Sequence, residues 1–341
     1  MKILVTGAGG RIGRGLVQAL LERGHEVRCL VMQQDPQGQK LAALGSGVQV
    51  VRGHLEYYPE VEPAVAGVEA VYHLGAAMGS FTDYQFFHAN VAGTFHVLQA
   101  VRRVAPSLRR FVFPSSDAVF EKYVPGGYRT PIDPDRAPRD GKGMYALSKI
   151  LGEEMCWSFM RSYDIPCVVL RLPIARAAEE LPDFYELWLE GLLNYKRSQR
   201  RVDPEAAKGV EMLEQLRDAT GGERRLIVAR DEFGHPYQRV YVDVRDVVQA
   251  LLLALEKAAA VGHAFQVAGR DQPTPSDTIV PYLSKRIGVP YLEAALPGIP
   301  TYYAHDVTKT AVLLGYEPKY SVFDMIDEAV ERCPDRWRRE P

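Results

Sequence analysis

The sequence predicts an α/β fold: a doubly wound parallel sheet with a smaller, interleaved C-terminal domain. Three observations predict it. Apolar, β-branched runs alternate with helix-period segments from the first residues onward, and the first run ends in a glycine-rich turn. Beyond Pro173 the pattern changes to charged helical stretches broken by short strands.

Residues Lys2 to Gly13 read KILVTGAGGRIG. Ile3, Leu4 and Val5 form a short buried strand that runs straight into Gly7, Gly10 and Gly13. Leu16, Val17, Leu20 and Leu21 then recur at helical spacing, with Gly24 as the C-cap. A strand, a glycine turn and a helix in this order aim backbone N–H groups and a helix N-terminus at a pyrophosphate. The spacing is Gly-x-x-Gly-x-x-Gly, and Ile12 stands where the usual dinucleotide fingerprint has its last glycine.

The second strand is His25 to Val31. In such a fold an acid at its end accepts hydrogen bonds from the adenosine ribose hydroxyls, while a nearby Arg meets a 2′-phosphate. Val31 and Met32 stand there, so the choice between NAD and NADP is open. Arg11, in the glycine turn, is either a cation for that phosphate or a solvated turn residue. A short helical stretch leads to a third strand, Val48 to Gly53. Gly67 to Ala77 is a fourth strand whose small-residue end lets a dinucleotide lie close, and His73 is a packed strand-end residue.

Asn90 to Val101 reads as a core helix from Val91, Phe95, Leu98 and Val101, with Asn90 able to serve as its N-cap. Arg109 to Phe120 is the fifth strand, with a polar end, and Met144 to Met155 is the next helix. The Pro- and Gly-rich stretch 126–143 between them excludes a regular element and suits a mobile cleft rim. Val168 to Pro173 is the sixth strand.

Asp183 to Thr220 is helix-like through Leu187, Leu192, Leu193, Met212, Leu213 and Leu216, with its charges on solvated faces. Arg224 to Asp246 reads as two strands around a turn at Glu232 to His235, and a helix from Val244 to Lys257 returns to the first domain. Ala264 to Gly269 is a further strand, and the tail forms a small helical cap. The expected domains are 1–173 plus about 240–268 for the dinucleotide, and about 174–239 plus 269–335 for the substrate. There is no internal repeat.

The 341 residues are 47% hydrophobic and 25% charged, with a net charge of −2 and no long basic run, which argues against a nucleic-acid partner. No apolar run is long enough for a bilayer. The chain starts inside its first strand, leaving no room for a leader, so a cytoplasmic location is expected. Cys29, Cys156, Cys167 and Cys333 form no Cys-x-x-Cys pair, and Cys29 and Cys167 read as small buried hydrophobes. No metal site is expected.

Tyr145 and Lys149, four apart on a helix, share one face at roughly 6 Å. Bringing a phenol from a pKa of about 10 to ~7 takes roughly 4 kcal/mol of phenolate stabilisation. A lysine ammonium and a positively charged nicotinamide ring can supply it. Ser116, upstream at the end of the fifth strand, completes a Ser/Tyr/Lys set.

In chain order, TGxxGxxG, HLxAA, NVxGT, SSxAV and YxxSK are all present. By these motifs the sequence resembles the extended branch of the short-chain dehydrogenase/reductase superfamily, the NAD-dependent epimerase/dehydratase family, which has a Rossmann fold. The resemblance covers nearly the whole chain, most strongly to Pro173. It implies that Ser116 hydrogen-bonds the substrate oxygen, Tyr145 moves the hydroxyl proton, and Lys149 holds the nicotinamide ribose and lowers the tyrosine pKa. It implies NAD or NADP held by Gly7, Gly10, Arg11, Ile12, Gly13, His54, Leu55, Leu74, Ala76, Asn90, Tyr145, Lys149 and Pro173. His54 replaces the family's usual adenine-contacting Asp, and Asn90 would brace the central helices and the active-site backbone.

The resemblance places Met78, Ser116, Asp117, Tyr145 and Arg239 at the substrate. Ile174 stands where nucleotide-sugar epimerases carry an Asn, which counts against a nucleotide sugar. Arg239, in RVYVDVRDV, matches a phosphate-gripping Arg or else forms a salt bridge to a carboxylate such as Asp243 or Asp246. Asp117 precedes Ala118 where dehydratases have an Asp-Glu pair; it touches substrate hydroxyls or caps the loop. The expected function is an NAD(P)-dependent oxidoreductase or epimerase acting on a secondary alcohol of a sugar or sugar derivative. A net dehydrogenase/reductase is the alternative, ahead of a nucleotide-sensing regulatory protein, whose relatives lose the Tyr or Lys present here. The resemblance also implies a homodimer through the helices beginning near Asn90 and Met144.

Overall fold

The computed structural model describes residues 1–199, 203 and 205–338. Seven parallel strands form the main sheet: β1 (Lys2–Thr6), β2 (Glu26–Val31), β3 (Val48–Arg52), β4 (Ala70–His73), β5 (Arg110–Ser116), β6 (Cys167–Leu172) and the strand Ala264–Gln266. Their spatial order is Ala264–Gln266, β6, β5, β4, β1, β2, β3. The order reverses between β1 and β4, and in such sheets the crevice beyond the carboxyl ends at that point takes ligands.

Strands buried on both faces need near-continuous apolar sequence, and β5 and β6 are buried along their whole length. On one face, Leu16, Val17 and Leu20 of the helix Arg11–Glu22 pack with Val247 and Leu251 of the helix Val244–Glu256. On the other face lie Val61 and Val65, Val97 and Leu98, Cys156 and Phe159. A separate core joins Phe184, Trp188, Leu283, Met325, Ile326 and Trp337. Ile174–Arg176 pairs with Tyr241–Asp243 between the two regions. Among the described residues no helix is long and apolar enough to cross a membrane.

Several local expectations need correction. Arg23, rather than Gly24, is the C-cap of the first helix; Gly24 follows at φ 74°, where a side chain would be strained. A helix at Tyr58–Val65 was hidden by Pro59 and Pro63. The stretch 183–220 is broken into two short 3₁₀ turns and the helices Leu189–Gln199 and Ala206–Ala219, with residues 200–202 and 204 outside those described. The two strands expected around Glu232 to His235 are present as Leu226–Arg230 and Gln238–Arg239, the turn closed by Asp231 N donating to His235 O and Tyr237 N to Ala229 O; the first strand also pairs in parallel with Tyr291–Ala295 and the second with Thr274–Pro275. The loop 126–143 is tied down: Tyr128 and Ile132 donate to the carbonyls of Tyr302 and Ala304, and Gly141 to that of Val119.

Candidate active site

The first turn is a backbone cradle. Gly7 has φ 64°, and a Cβ there would stand 2.8 Å from the Gly75 backbone; a Cβ on Gly13 would stand 2.4 Å from Gly7 O. Gly10 caps the helix without a side-chain bond, and the first helical turn holds no acid, which leaves its N–H groups open to an anion. Ile12 packs against the core. Arg11 is not a free cation: its Nε lies 2.6 Å from the Glu180 carboxylate, with its side chain 32% exposed.

The end of β4 is locked to β1 through His73. Thr94 Oγ1 donates to Asn90 O at 2.5 Å, so the His73 Nε2, 3.0 Å away, is the donor to Thr94. Its Nδ1 then accepts from Thr6 Oγ1 at 2.9 Å, and that oxygen accepts the Gly75 N–H. His73 is therefore a neutral bracing side chain, and burial first, then Lys149, pulls its pKa down to about 3. Leu74 and Ala76 flank this turn, and Met78 beyond it is 60% exposed.

Asn90 is not an N-cap. Its helix begins at Asp83, capped by Thr82, and passes through a π-helical turn at Phe87–Ala92 before continuing to Val104. The Asn90 side chain accepts from Ala77 N at 2.7 Å and donates to Ala77 O at 3.1 Å and Ser148 Oγ at 3.0 Å. It thereby fixes the β4 turn to the helix Met144–Tyr163. After β3, Leu55 is wedged against Gly75 and Gly93, while the His54 Nδ1 accepts the Glu56 N–H at 3.4 Å. Pro173, buried, follows β6.

Ser116 ends β5, and Tyr145 and Lys149 face it from the first turns of the helix Met144–Tyr163. Ser116 Oγ accepts the Ala118 N–H at 3.1 Å, and the hydroxyl favours ionisation of the neighbouring Tyr145 phenol. Phe86, missed in the sequence, stands edge-on to the Tyr145 ring at 6.0 Å. Lys149 Nζ donates to Pro114 O at 2.8 Å, and burial, against the pull of Glu153, brings its pKa down to about 8.

Lys149 does not lower Tyr145 in the protein by itself. Burial raises the phenol; the Ser116 hydroxyl opposes this, Asp117 adds to it and Lys122 reduces it. Asp117 neither reaches outward nor caps the loop: Lys122 Nζ lies 2.8 Å from its Oδ1 and His305 Nε2 3.2 Å from its Oδ2. Burial would raise the Asp117 carboxyl, but Lys122 and His305 hold it well below its usual range. Below the site, Glu153 is fully buried, accepts from Ser115 Oγ at 2.6 Å and is gripped by Arg171 at 2.9 and 2.7 Å.

Arg239 is buried and ion-paired to Glu186; it also donates to Tyr123 Oη at 3.2 Å and Thr301 Oγ1 at 3.3 Å. Neither acid expected as a partner serves: Asp243 pairs with Arg245, and Asp246 accepts from the backbone of Lys319 and Tyr320. A cavity lined by Glu186, Arg239, Tyr237, Tyr241 and Thr301 adjoins this pair, but Ser116, Tyr145 and Lys149 do not border it. Among the described residues no group of three or more His, Cys, Asp or Glu side chains could hold a metal ion.

The sequence profile of the NAD dependent epimerase/dehydratase family matches residues 3–182. A structure of a short-chain dehydrogenase/reductase superfamily protein from Agrobacterium tumefaciens with bound NAD is 31% identical. It covers 99% of this chain and 100% of that one, with a TM-score of 0.83. The UDP-glucuronic acid 4-epimerase of Bacillus cereus, in complex with NAD, shares the fold at 23% identity and a TM-score of 0.72, over 99% of this chain and 100% of that one. The 2-alkyl-3-oxoalkanoate reductase of Stenotrophomonas maltophilia is 37% identical over 155 residues, which are 45% of this chain and 45% of that protein, under two thirds of its length.

Proposed function

Because this chain belongs to the NAD dependent epimerase/dehydratase family, we propose that it is an NAD(P)-dependent oxidoreductase or epimerase acting on a secondary alcohol of a sugar or sugar derivative. The observation that carries this reading is the convergence of Ser116, Tyr145 and Lys149 beside an uncapped helix N-terminus on a glycine cradle. The cradle fits a dinucleotide: Gly7, Gly10, Gly13 and the backbone of Arg11 and Ile12 would receive its phosphates, with His54, Leu55, Leu74, Ala76, Asn90 and Pro173 around it. This half is taken as residues 1–173 with about 240–268, and the substrate half as 174–239 with 269–335, save that Leu314 and Tyr316 pack in the core of the first.

When bound, the nicotinamide supplies the hydride acceptor or donor. Ser116 orients the substrate oxygen, and Tyr145 moves the hydroxyl proton. Burial raises the phenol, and in the protein alone Ser116 and Lys122 oppose it; Lys149 would hold the nicotinamide ribose beside the phenol, and its charge would favour proton transfer once that ribose is in place. Asp117 acts through its pair with Lys122, tuning the phenol rather than touching the substrate.

On the substrate side, Arg239 spends its charge on Glu186, which favours a sugar without a nucleotide diphosphate; Ile174 agrees with that. A net dehydrogenase/reductase without epimerisation is the second reading, favoured by the likeness to a named reductase. Purified protein incubated with free and nucleotide-linked sugars, with cofactor absorbance and product stereochemistry both followed, tests these readings. Inversion without net cofactor change marks an epimerase, and stoichiometric cofactor reduction marks a dehydrogenase. Turnover confined to nucleotide-linked sugars contradicts the reading of Arg239.

A further inference from the structure

We propose that Asp35 selects NAD over NADP by accepting hydrogen bonds from the adenosine ribose hydroxyls, an inference that rests on the dinucleotide reading above. The end of β2 carries no acid, and Met32 there is 59% exposed. The chain then turns back on itself. Asp35 N donates to Met32 O, Gly38 N donates to Asp35 O, and the Asp35 Oδ1 accepts the Gln37 N–H at 2.9 Å. This turn swings the carboxylate four residues past the strand to the glycine cradle, where a Cβ on Gly9 would stand 2.3 Å from Asp35 Oδ2. Gly9 has to lack a side chain for the carboxylate to lie there.

The two cations at this corner are already engaged. Arg52 Nη1 donates to Gln33 O at 2.6 Å, Met32 O at 3.3 Å and Asp35 O at 3.4 Å, holding the turn together through carbonyls. Arg11 is paired to Glu180. Neither forms an ion pair with the Asp35 carboxylate, whose Oδ2 faces the cradle. A carboxylate is acceptor-only, which suits the two donors of a ribose diol. Against a 2′-phosphate the same group sets one anion beside another.

The test is a fluorescence titration of the full chain with NADH and, separately, NADPH, for the wild type and Asp35→Asn. The Asn keeps an acceptor for the Gln37 N–H, so the turn is retained while the charge and one acceptor are lost. The wild type is expected to bind NADH at least a hundredfold more tightly than NADPH, and the variant to reduce that ratio to under tenfold. Equal binding of the two nucleotides by the wild type, or an unchanged ratio in the variant, overturns the role of Asp35 and leaves the dinucleotide site standing. Binding of neither nucleotide overturns the dinucleotide site itself, and this inference with it.

Discussion

Lys122 Nζ lies 2.8 Å from Asp117 Oδ1, and both groups are buried one step behind Ser116 and Tyr145. From a loop outside the helix that carries Lys149, the pair sets opposed charges within reach of the phenol: Asp117 raises it and Lys122, the smaller effect, lowers it. Removing one member of a buried pair strands the other, at about 3–5 kcal/mol. Lys122→Met is therefore expected to lose that much stability near neutral pH. Asp117 has a folded pKa below its unfolded value, so its contribution is complete above about pH 4 and lost as pH falls further. The gap between variant and wild type should narrow as Asp117 protonates in both, which denaturant titrations at two pH values can read. An equal gap at both pH values contradicts the pairing.

Lys149 titrates near pH 8, because burial disfavours its ammonium. The unfolded chain binds this proton up to about pH 10.4, so folding stability falls as pH drops from there to about 8 and no further below that. If the ammonium holds the nicotinamide ribose, dinucleotide affinity weakens as pH rises through about 8. Glu153 is the first group opposing that depression, so Glu153→Gln should move the transition to lower pH and also destabilise the chain by about 3–5 kcal/mol through unpaired Arg171. Affinity measured against pH for wild type and variant checks both; superimposable curves count against the coupling.

Two glycines of the first helix should behave oppositely. A Cβ on Gly13 meets the backbone of Gly7 and Ala8 at 2.4 and 2.8 Å, whereas on Gly15 it meets only Val248 Cγ2 at 3.4 Å. Gly13→Ala is expected to cost about 1–3 kcal/mol and at least tenfold in dinucleotide affinity. Gly15→Ala should be neutral or stabilise by up to about 1 kcal/mol. Thermal melts with NADH titrations distinguish them.

The helices Gly93–Val104 and Met144–Tyr163 leave Phe95, Leu147 and Tyr163 between 43% and 45% exposed, and Phe87 just before them 46% exposed. Phe95 and Tyr163 meet through Phe159, which makes one apolar face of the two helices. A homodimer through this face predicts that light scattering finds twice the chain mass, and that Phe95→Glu with Leu147→Glu halves it.

The glycine cradle and the alternation of strands and helices were legible because each is a local pattern: three spaced glycines, or buried apolar runs such as β5 and β6. The Tyr145 and Lys149 pairing was legible for the same reason, an i,i+4 step on one helix face. The second layer of the site was not. Asp117 and His305 stand 188 residues apart, and Glu186 reaches Arg239 from a stretch whose charges looked solvated. Asp35 was invisible because its turn, and not its position after β2, brings it to Gly9. The π-turn that sets Asn90 has no sequence signature, and the Pro and Gly of 126–143 spoke of irregularity but not of the backbone bonds that tie the loop down.

The account depends most on the phenol as the proton-transferring group. Tyr145→Phe, assayed for NADH binding and for turnover on whichever sugar the wild type accepts, tests it most directly. The account predicts binding within about threefold of wild type and turnover lowered at least a hundredfold, the order expected for loss of a general acid/base. Turnover near that of the wild type would contradict it.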